Sequence, residues 1–190
     1  MLVTVAGPVP RALHRGRGKV AVDHENKIYC ADYANHQVIV YSEDLVLIRT
    51  FKVLESPHPI CIHNQRVYVG SPAHSNIGVY SLEGVLKLTF DVSGAFYIMD
   101  IFITKDGYLL AASNLGISIF DANNGSMIVN YPRNSLAHRV PFGVASITLI
   151  EKRGNLSKLL VAQTTSTDDV HPCICLLLFT RPVVAWIYSP

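Results

Sequence analysis

The chain has 190 residues, 49% of them hydrophobic and 16% charged, with a formal net charge of +2. This globular composition excludes a long disordered tail, and so small a net charge excludes nucleic-acid binding through bulk charge alone. The N-terminus lacks the basic start and the apolar core of a signal peptide, and the most apolar later run, CICLLLF, is too short to cross a bilayer. Four cysteines without a C-x-x-C spacing fit a reducing compartment. We therefore predict a soluble cytoplasmic protein with no membrane segment.

Short runs rich in β-branched and aromatic residues, divided by polar turns, predict strands along the whole chain. A first run at 1–6 ends at a Gly-Pro-Val-Pro stretch, and a basic loop follows it. Three units of four runs come next, at 20–22, 28–31, 38–41 and 46–51, at 59–62, 66–70, 77–80 and 85–90, and at 100–103, 108–112, 117–120 and 127–131. A fourth, stretched unit has runs at 142–149, 158–162 and 173–179, and a run at 183–188 closes the chain.

An aromatic residue ends the third run of every unit, and its spacing measures the repeat. Tyr41, Tyr80, Phe120 and Phe179 are separated by 39, 40 and 59 residues. A period near forty with four strands per unit is typical of a β-propeller blade. We predict an all-β propeller of about four four-stranded antiparallel blades, forming an incomplete, open or small ring. The blades are placed at 18–55, 56–94, 95–136 and 137–182 of one domain spanning 1–190, and the strand at 1–6 either latches the last blade or belongs to a neighbouring blade.

The first unit resembles an NHL repeat in four motifs. These are Val20-Ala21-Val22-Asp23, Ile28-Tyr29-Cys30-Ala31-Asp32, Asn35-His36-Gln37-Val38 and Arg49-Thr50-Phe51. The next two units resemble the pattern loosely, and the fourth keeps only its hydrophobic skeleton. Members of this family usually close rings of six blades, sometimes five, so four units put closure in doubt. The resemblance also implies that Asp32, Asn35 and His36 belong to the blade pattern, and a turn capped by its own Asp and Asn side chains explains them without a catalytic role.

Basic residues mark the loops that lead into two of the blades. Some NHL propellers bind RNA on a positively charged face, so the resemblance makes one basic rim a candidate binding surface. Its residues in this chain are Arg11, Arg15, Arg17, Lys19, Arg133, His138 and Arg139. We interpret the chain as a non-enzymatic scaffold that recognises a protein or peptide, with RNA as a further option, through the loops of one rim.

The alternative prediction is a metal-dependent lyase or hydrolase centred on the propeller channel. Amidating lyases with an NHL-like propeller place metal-binding histidines around such a channel, and His58, Asp100 and His138 would lie at its mouth here. A zinc site needs three or four converging ligands, and the spacing of the eight histidines does not provide them. We therefore predict no catalytic residues, no metal and no other cofactor, while the oligomeric state stays open.

Overall fold

The computed structural model describes residues 18–54, 56–71, 73–92, 94, 97–132, 146–153, 156–162, 174–180 and 183–187, and from residue 131 onward it describes only strand backbone. These residues form sixteen strands and one 3₁₀ turn. The predicted strand at 1–6 lies outside the described residues. Within them, no helix combines the length and the apolar character needed to span a membrane.

The strands form four sheets, each made of four antiparallel strands in sequence order. The first sheet contains β1 (Val20–Val22), β2 (Ile28–Asp32), β3 (Gln37–Tyr41) and β4 (Leu47–Lys52), and the second contains β5 (Ile60–His63), β6 (Arg66–Gly70), β7 (Asn76–Ser81) and β8 (Leu86–Asp91). The third contains β9 (Ile98–Ile103), β10 (Tyr108–Ser113), β11 (Gly116–Asp121) and β12 (Met127–Pro132), and the fourth contains β13 (Ser146–Arg153), β14 (Leu156–Ala162), β15 (Ile174–Thr180) and β16 (Val183–Ile187). We call these sheets blades 1 to 4.

The blades stand side by side in an open arc. Their first strands contact one another in the order β1, β5, β9 and β13, so these strands form the inner side of the arc. Among the described strands, no extensive contact joins blade 4 back to blade 1. The prediction of about four four-stranded antiparallel blades in an open ring is confirmed. One boundary differs, because β16 pairs with β15 as the outer strand of blade 4, beyond the predicted end of that blade at residue 182.

Apolar residues come in runs because each inner blade is covered on both of its faces. β10 and β11 are buried along nearly their whole length, whereas the outer strand β4 alternates between exposed and half-buried residues. A sheet covered on both faces needs apolar side chains at consecutive positions, and an uncovered edge strand does not. We call the face that a blade turns toward the next blade its front, and the opposite face its back.

Two hydrophobic layers fill the spaces between the first three blades. The front of blade 1 and the back of blade 2 share one cluster, which includes Tyr29, Val38 and Tyr80. The front of blade 2 and the back of blade 3 share the other, which includes Phe90 and Phe120. Fully burying one large apolar side chain stabilises a fold by about 1.5–3 kcal/mol, so these layers are the main source of stability.

Two of the aromatic residues that define the repeat, Tyr80 and Phe120, form contacts between blades. Tyr80 packs on Phe51 of the preceding blade with ring centroids 5.9 Å apart, and Phe120 packs on Phe90 with centroids 5.7 Å apart. Tyr68 adds an edge-to-face contact with Phe90 at 6.2 Å. The period near forty therefore reflects a contact that blades 2 and 3 each make with the blade before them.

The antiparallel order divides the described loops between two rims. The upper rim carries the described parts of the connections between the first three blades and the turns between second and third strands, at 33–36, 71, 73–75 and 114–115. The lower rim carries the remaining turns, at 23–27, 42–46, 64–65, 82–85, 104–107 and 122–126. Hydrogen bonds within the upper rim confirm the division, since the Val53 N–H donates to the His36 carbonyl at 3.2 Å and the Val92 N–H donates to that of Ser75 at 2.6 Å.

The motif-like turn of blade 1 is structural, as the sequence predicted. Buried Asp32 accepts hydrogen bonds from the Asn35 N–H at 3.3 Å, the Asn35 side chain at 2.8 Å and Gln37 at 3.0 Å, and so caps the 3₁₀ turn Tyr33–Asn35. His36 takes a left-handed conformation, and its Nδ1 accepts from the Ser56 N–H at 2.8 Å. The polar side chains of this turn are therefore committed to holding the loop.

Candidate functional site

Three equivalent positions on the inner strands meet at the upper end of the arc. The Ala31 N–H donates to the Lys19 carbonyl at 3.0 Å, and the Gly70 N–H donates to the Pro59 carbonyl at 2.9 Å. Asp100 pairs with Ala112 at the same point of blade 3. Lys19 and Pro59 directly precede β1 and β5, and Asp100 lies in β9, so the three residues occupy equivalent positions in blades 1, 2 and 3.

An ion pair joins two of these positions across the blade between them. Lys19 Nζ lies 2.7 Å from Asp100 Oδ1, with side chains 36% and 10% exposed. The Lys19 N–H donates to the His58 carbonyl at 3.1 Å, and Asp100 Oδ1 also accepts the Ile101 N–H at 2.9 Å. Because the pair connects blade 1 to blade 3 past blade 2, it restrains the curvature of the arc.

The cysteine beside this ion pair is held as a neutral thiol. Burial, together with the nearby Asp100 carboxylate, raises the pKa of Cys61 far above its ordinary value. Burial also raises the pKa of the Cys30 thiol. A cysteine acts as a nucleophile or metal ligand in its thiolate form, so neither side chain is prepared for that chemistry. Both are free thiols that contribute to packing.

The structure brings together residues that the sequence had assigned to two different hypotheses. Lys19, predicted for the basic rim, meets Asp100 and the backbone of His58, both predicted for the channel mouth. Among the described residues, no three His, Cys, Asp or Glu side chains gather as metal ligands would. Outside the described residues lie the remaining predicted positions, which are Arg11, Arg15, Arg17, Arg133, His138 and Arg139.

Replacing Lys19 by methionine is expected to lower the free energy of unfolding by about 1–2 kcal/mol, because the mostly buried Asp100 carboxylate then loses a charged partner. Urea denaturation measures this loss. Lys105→Met serves as the control, since Lys105 is an exposed residue of a lower-rim turn and its replacement should stay within about 0.5 kcal/mol of wild type. Equal losses in the two variants would show that the ion pair contributes nothing.

The upper rim carries exposed apolar side chains that the sequence did not predict. Tyr33, Tyr97 and Leu115 are 36%, 58% and 42% exposed, and they lie in the second-to-third-strand turns of blades 1 and 3 and in the connection into blade 3. The connection and the turn adjoin, because a Cβ built on Gly94 would lie 3.6 Å from Leu115 Cδ1. Tyr97 is in the left-handed region, at φ 68°, which is unusual for a bulky residue and signals that its surroundings hold it there.

The lower rim uses its polar side chains to bind neighbouring blades together. Arg49 donates to the Leu82 carbonyl, and Arg66 donates to that of Asn123 at 3.3 Å. The buried Tyr68 hydroxyl donates to the Ala122 carbonyl at 3.1 Å. These bonds run from one blade to the next, so the polar side chains of the lower rim hold neighbouring blades together.

A buried acid supports the lower rim of blade 1. Asp23 accepts hydrogen bonds from the N–H groups of Glu25 and Lys27, each at 2.9 Å, and from the Tyr29 hydroxyl at 3.2 Å. Burial, followed by the charge of Asp23, raises the pKa of Tyr29 to about 12. The carboxylate thus shapes the 23–27 turn and holds the tyrosine as a neutral donor.

Solved structures place this architecture among the β-propellers. No family model and no curated protein sequence matches the chain. It is similar to Kuenenia stuttgartiensis hydrazine synthase, with a TM-score of 0.60 and 15% identity over 85% of this chain and 50% of that one. It is also similar to the WD40 β-propeller domain of Doa1, with a TM-score of 0.60 and 16% identity over 76% of this chain and 46% of that one. Saccharomyces cerevisiae Sqt1 matches with a TM-score of 0.58 and 16% identity, over 82% of this chain and 42% of that one.

The protein is therefore a β-propeller by fold. At such low identity the likeness defines the architecture alone. The chain spans half or less of the length of these three similar structures.

Proposed function

We propose that the chain is a non-enzymatic binding platform of NHL-like blades whose upper rim recognises a protein or peptide. The observation that carries this proposal is the exposure of Tyr97, which is 58% exposed on the same rim as the exposed Leu115. Tyrosine combines a large apolar face with a polar tip, and aromatic residues are enriched in protein interfaces. The basic residues Arg11, Arg15 and Arg17 precede blade 1 in the sequence and would complement an acidic ligand.

Rigidity of the scaffold supports this function. Tyr97 and Leu115 flank strands of blade 3, whose back face is packed against blade 2 by Phe120 and Phe90. Binding loops on rigid elements lose little conformational entropy when a ligand binds, so even a modest apolar contact adds affinity. The free thiols of Cys30 and Cys61 support a reducing, cytoplasmic setting for this binding.

A channel-centred lyase or hydrolase receives no comparable support from the described residues. The Asp100 carboxylate that such chemistry would use is paired with Lys19, and the neighbouring Cys61 is a neutral thiol. Stoichiometric zinc in the purified protein, lost together with a catalysed reaction on replacing His58, would overturn the binding proposal in favour of an enzyme.

Replacing Tyr97 by alanine is expected to weaken a rim ligand about tenfold or more, the loss typical of an exposed aromatic anchor. The probe is a peptide selected from a displayed random library on the wild-type protein, with affinity measured by calorimetry. Tyr108→Ala is the matched control, because Tyr108 is 38% exposed and adjoins a lower-rim turn, and it should leave the affinity unchanged.

Two results would contradict rim recognition. One is a selection that enriches no peptide, and the other is a peptide whose affinity falls as much with Tyr108→Ala as with Tyr97→Ala. Polyuridylate RNA, titrated at several salt concentrations, tests the alternative ligand. Binding that falls steeply with salt and is lost when Arg15 and Arg17 are replaced would make RNA the ligand instead.

A further inference from the structure

Exposed apolar side chains lie at the start of the outer strand in each of the first three blades. Leu47, Leu86 and Met127 occupy equivalent positions, because each pairs with the aromatic residue at or next to the end of its third strand. Apolar neighbours extend this set, and its members are 44–64% exposed. We call the set the lower outer edge, and it consists of Val46, Leu47, Val85, Leu86, Met127 and Ile128. A single exposed leucine needs no explanation, whereas a repeated set of apolar residues indicates a surface with a use.

The three parts of the lower outer edge form one surface, because the turn of each blade lies against the preceding blade. A Cβ built on Gly84 in the turn of blade 2 would lie 2.8 Å from Phe51 Cδ2 in the outer strand of blade 1. In the same way, a Cβ on Gly125 in the turn of blade 3 would lie 2.7 Å from Phe90 Cδ1 in the outer strand of blade 2. The exposed side chains that follow these turns therefore stand next to one another along the arc.

The backbone at these positions is poorly suited to pairing with an added strand. In all three blades the register of the outer strand shifts just after Leu47, Leu86 or Met127, which leaves the next residue without a cross-strand partner. Such bulges increase the local twist and protect an edge strand from pairing with another chain. The lower outer edge thus offers side chains rather than backbone, and an amphipathic helix is the segment that binds in this way.

The charges beside the apolar residues indicate the polar face that such a helix needs. The turns 42–46, 82–85 and 122–126 carry the exposed acids Glu43, Asp44 and Glu83 and no lysine or arginine. Lys87, which follows Leu86, offsets part of this charge, so the edge stays negative. Complementary charges across an interface speed association and select the partner. A helix with lysine and arginine on its polar face meets that requirement.

We propose that the lower outer edge is a docking surface for an amphipathic helix of a partner protein, with leucine-type residues on one face and basic residues on the other. Packed sheets lie about 10 Å apart, so the outer strands of three blades extend over about 20 Å or more, which about fourteen helical residues cover. This surface lies on the rim opposite Tyr97, so helix docking is independent of what the upper rim binds.

Two helical peptides of about 18 residues test the proposal on the purified chain. Both have leucines at every third and fourth position, and their polar positions are all lysine in one peptide and all glutamate in the other. Calorimetry is expected to show that the lysine peptide binds at least tenfold more tightly than the glutamate peptide. Its affinity should fall as salt is added, because salt screens the attraction of Glu43, Asp44 and Glu83.

Serine variants locate the bound peptide. Replacing Leu47 and Leu86 together by serine should weaken the lysine peptide tenfold or more. Val22→Ser is the matched control, because Val22 is 58% exposed, as Leu47 is, but lies on the inner strand β1 of the same blade. All three replaced side chains are exposed, so circular dichroism and the urea midpoint should stay near wild type in every variant.

Three results would overturn helix docking at this edge. The first is equal affinity for the two peptides, or no binding of either, on the wild-type chain. The second is a loss of affinity in Val22→Ser as large as in the double serine variant. The third is a wild-type dimer in sedimentation velocity that the double serine variant dissociates, since a second copy of the chain would then be the occupant. None of these results bears on the binding of a ligand through Tyr97.

Discussion

Replacing Phe90 by alanine is expected to lower the free energy of unfolding by about 3–5 kcal/mol, a large part of the 5–15 kcal/mol that usually stabilises a domain. Phe90 is 1% exposed and stands at the centre of the layer between blades 2 and 3. Its ring contacts Tyr68 on its own blade and Phe120 on the next. Truncation would leave a cavity bounded by two rings that strand pairing holds in place, so the site cannot collapse to fill it.

Chemical denaturation of two further variants shows whether the central position of Phe90 causes the large loss of stability. Phe51→Ala removes the equivalent residue of blade 1, which is half-buried and has one ring contact, with Tyr80. Its loss should be smaller than that of Phe90→Ala. Phe90→Leu retains most of the apolar volume and should recover more than half of the stability lost in the alanine variant. If Phe51→Ala costs as much as Phe90→Ala, stacking between blades 2 and 3 stabilises the fold no more than stacking between blades 1 and 2.

The architecture was predictable because the contact between blades repeats in the sequence. Tyr41, Tyr80 and Phe120 recur at a period near forty since each is the last or the next-to-last residue of a third strand. A periodic contact produces a periodic sequence signal, and the strands between these aromatic residues are short enough to be delimited by their turns. The outer strand β16 was placed outside blade 4 because the long segment from 163 to 173 stretches the spacing and hides the register.

The ion pair at the inner strands could not be predicted from the sequence. Lys19 and Asp100 are equivalent residues of two blades that are not neighbours, and their meeting depends on how tightly the arc curves past Pro59. The curvature of the arc depends on how blade 1 packs on blade 2 and how blade 2 packs on blade 3. No local pattern in the sequence predicts it. For the same reason, Asp100 looked like a candidate acid in an apolar strand until its partner was located.

The rim residues escaped prediction for a different reason. Tyr97 and Leu115 lie in loops, where a single apolar residue has no period to place it on a face, and their exposure depends on neighbouring loops from different blades. The sequence therefore predicted the propeller scaffold, whereas the exposure of these side chains depends on how the blades pack.

Replacing Gly84 by alanine is expected to destabilise the protein by about 2–5 kcal/mol, through left-handed strain of about 1–2 kcal/mol and overpacking of about 1–3 kcal/mol. Gly84 has φ 92°, and a Cβ there would lie 2.8 Å from Phe51 Cδ2 and closer still to Phe51 Cγ and Cβ. Atoms so near the Phe51 backbone cannot rotate away, so relief requires blade 2 to move from blade 1.

Gly107→Ala separates the two contributions, because Gly107 has φ 83° but its Cβ would have Asn123 Nδ2 as nearest neighbour at 3.7 Å. This variant should lose only the conformational part, about 1–2 kcal/mol in denaturant titrations. A further variant, Phe51→Ala in the Gly84→Ala background, should restore part of the loss, since it removes the ring that the new methyl group meets. Equal losses of stability in Gly84→Ala and Gly107→Ala, with no recovery in the double variant, would contradict this. They would mean that backbone conformation alone accounts for the destabilisation. Recovery would show that Gly84 is fitted to the phenylalanine of the preceding blade.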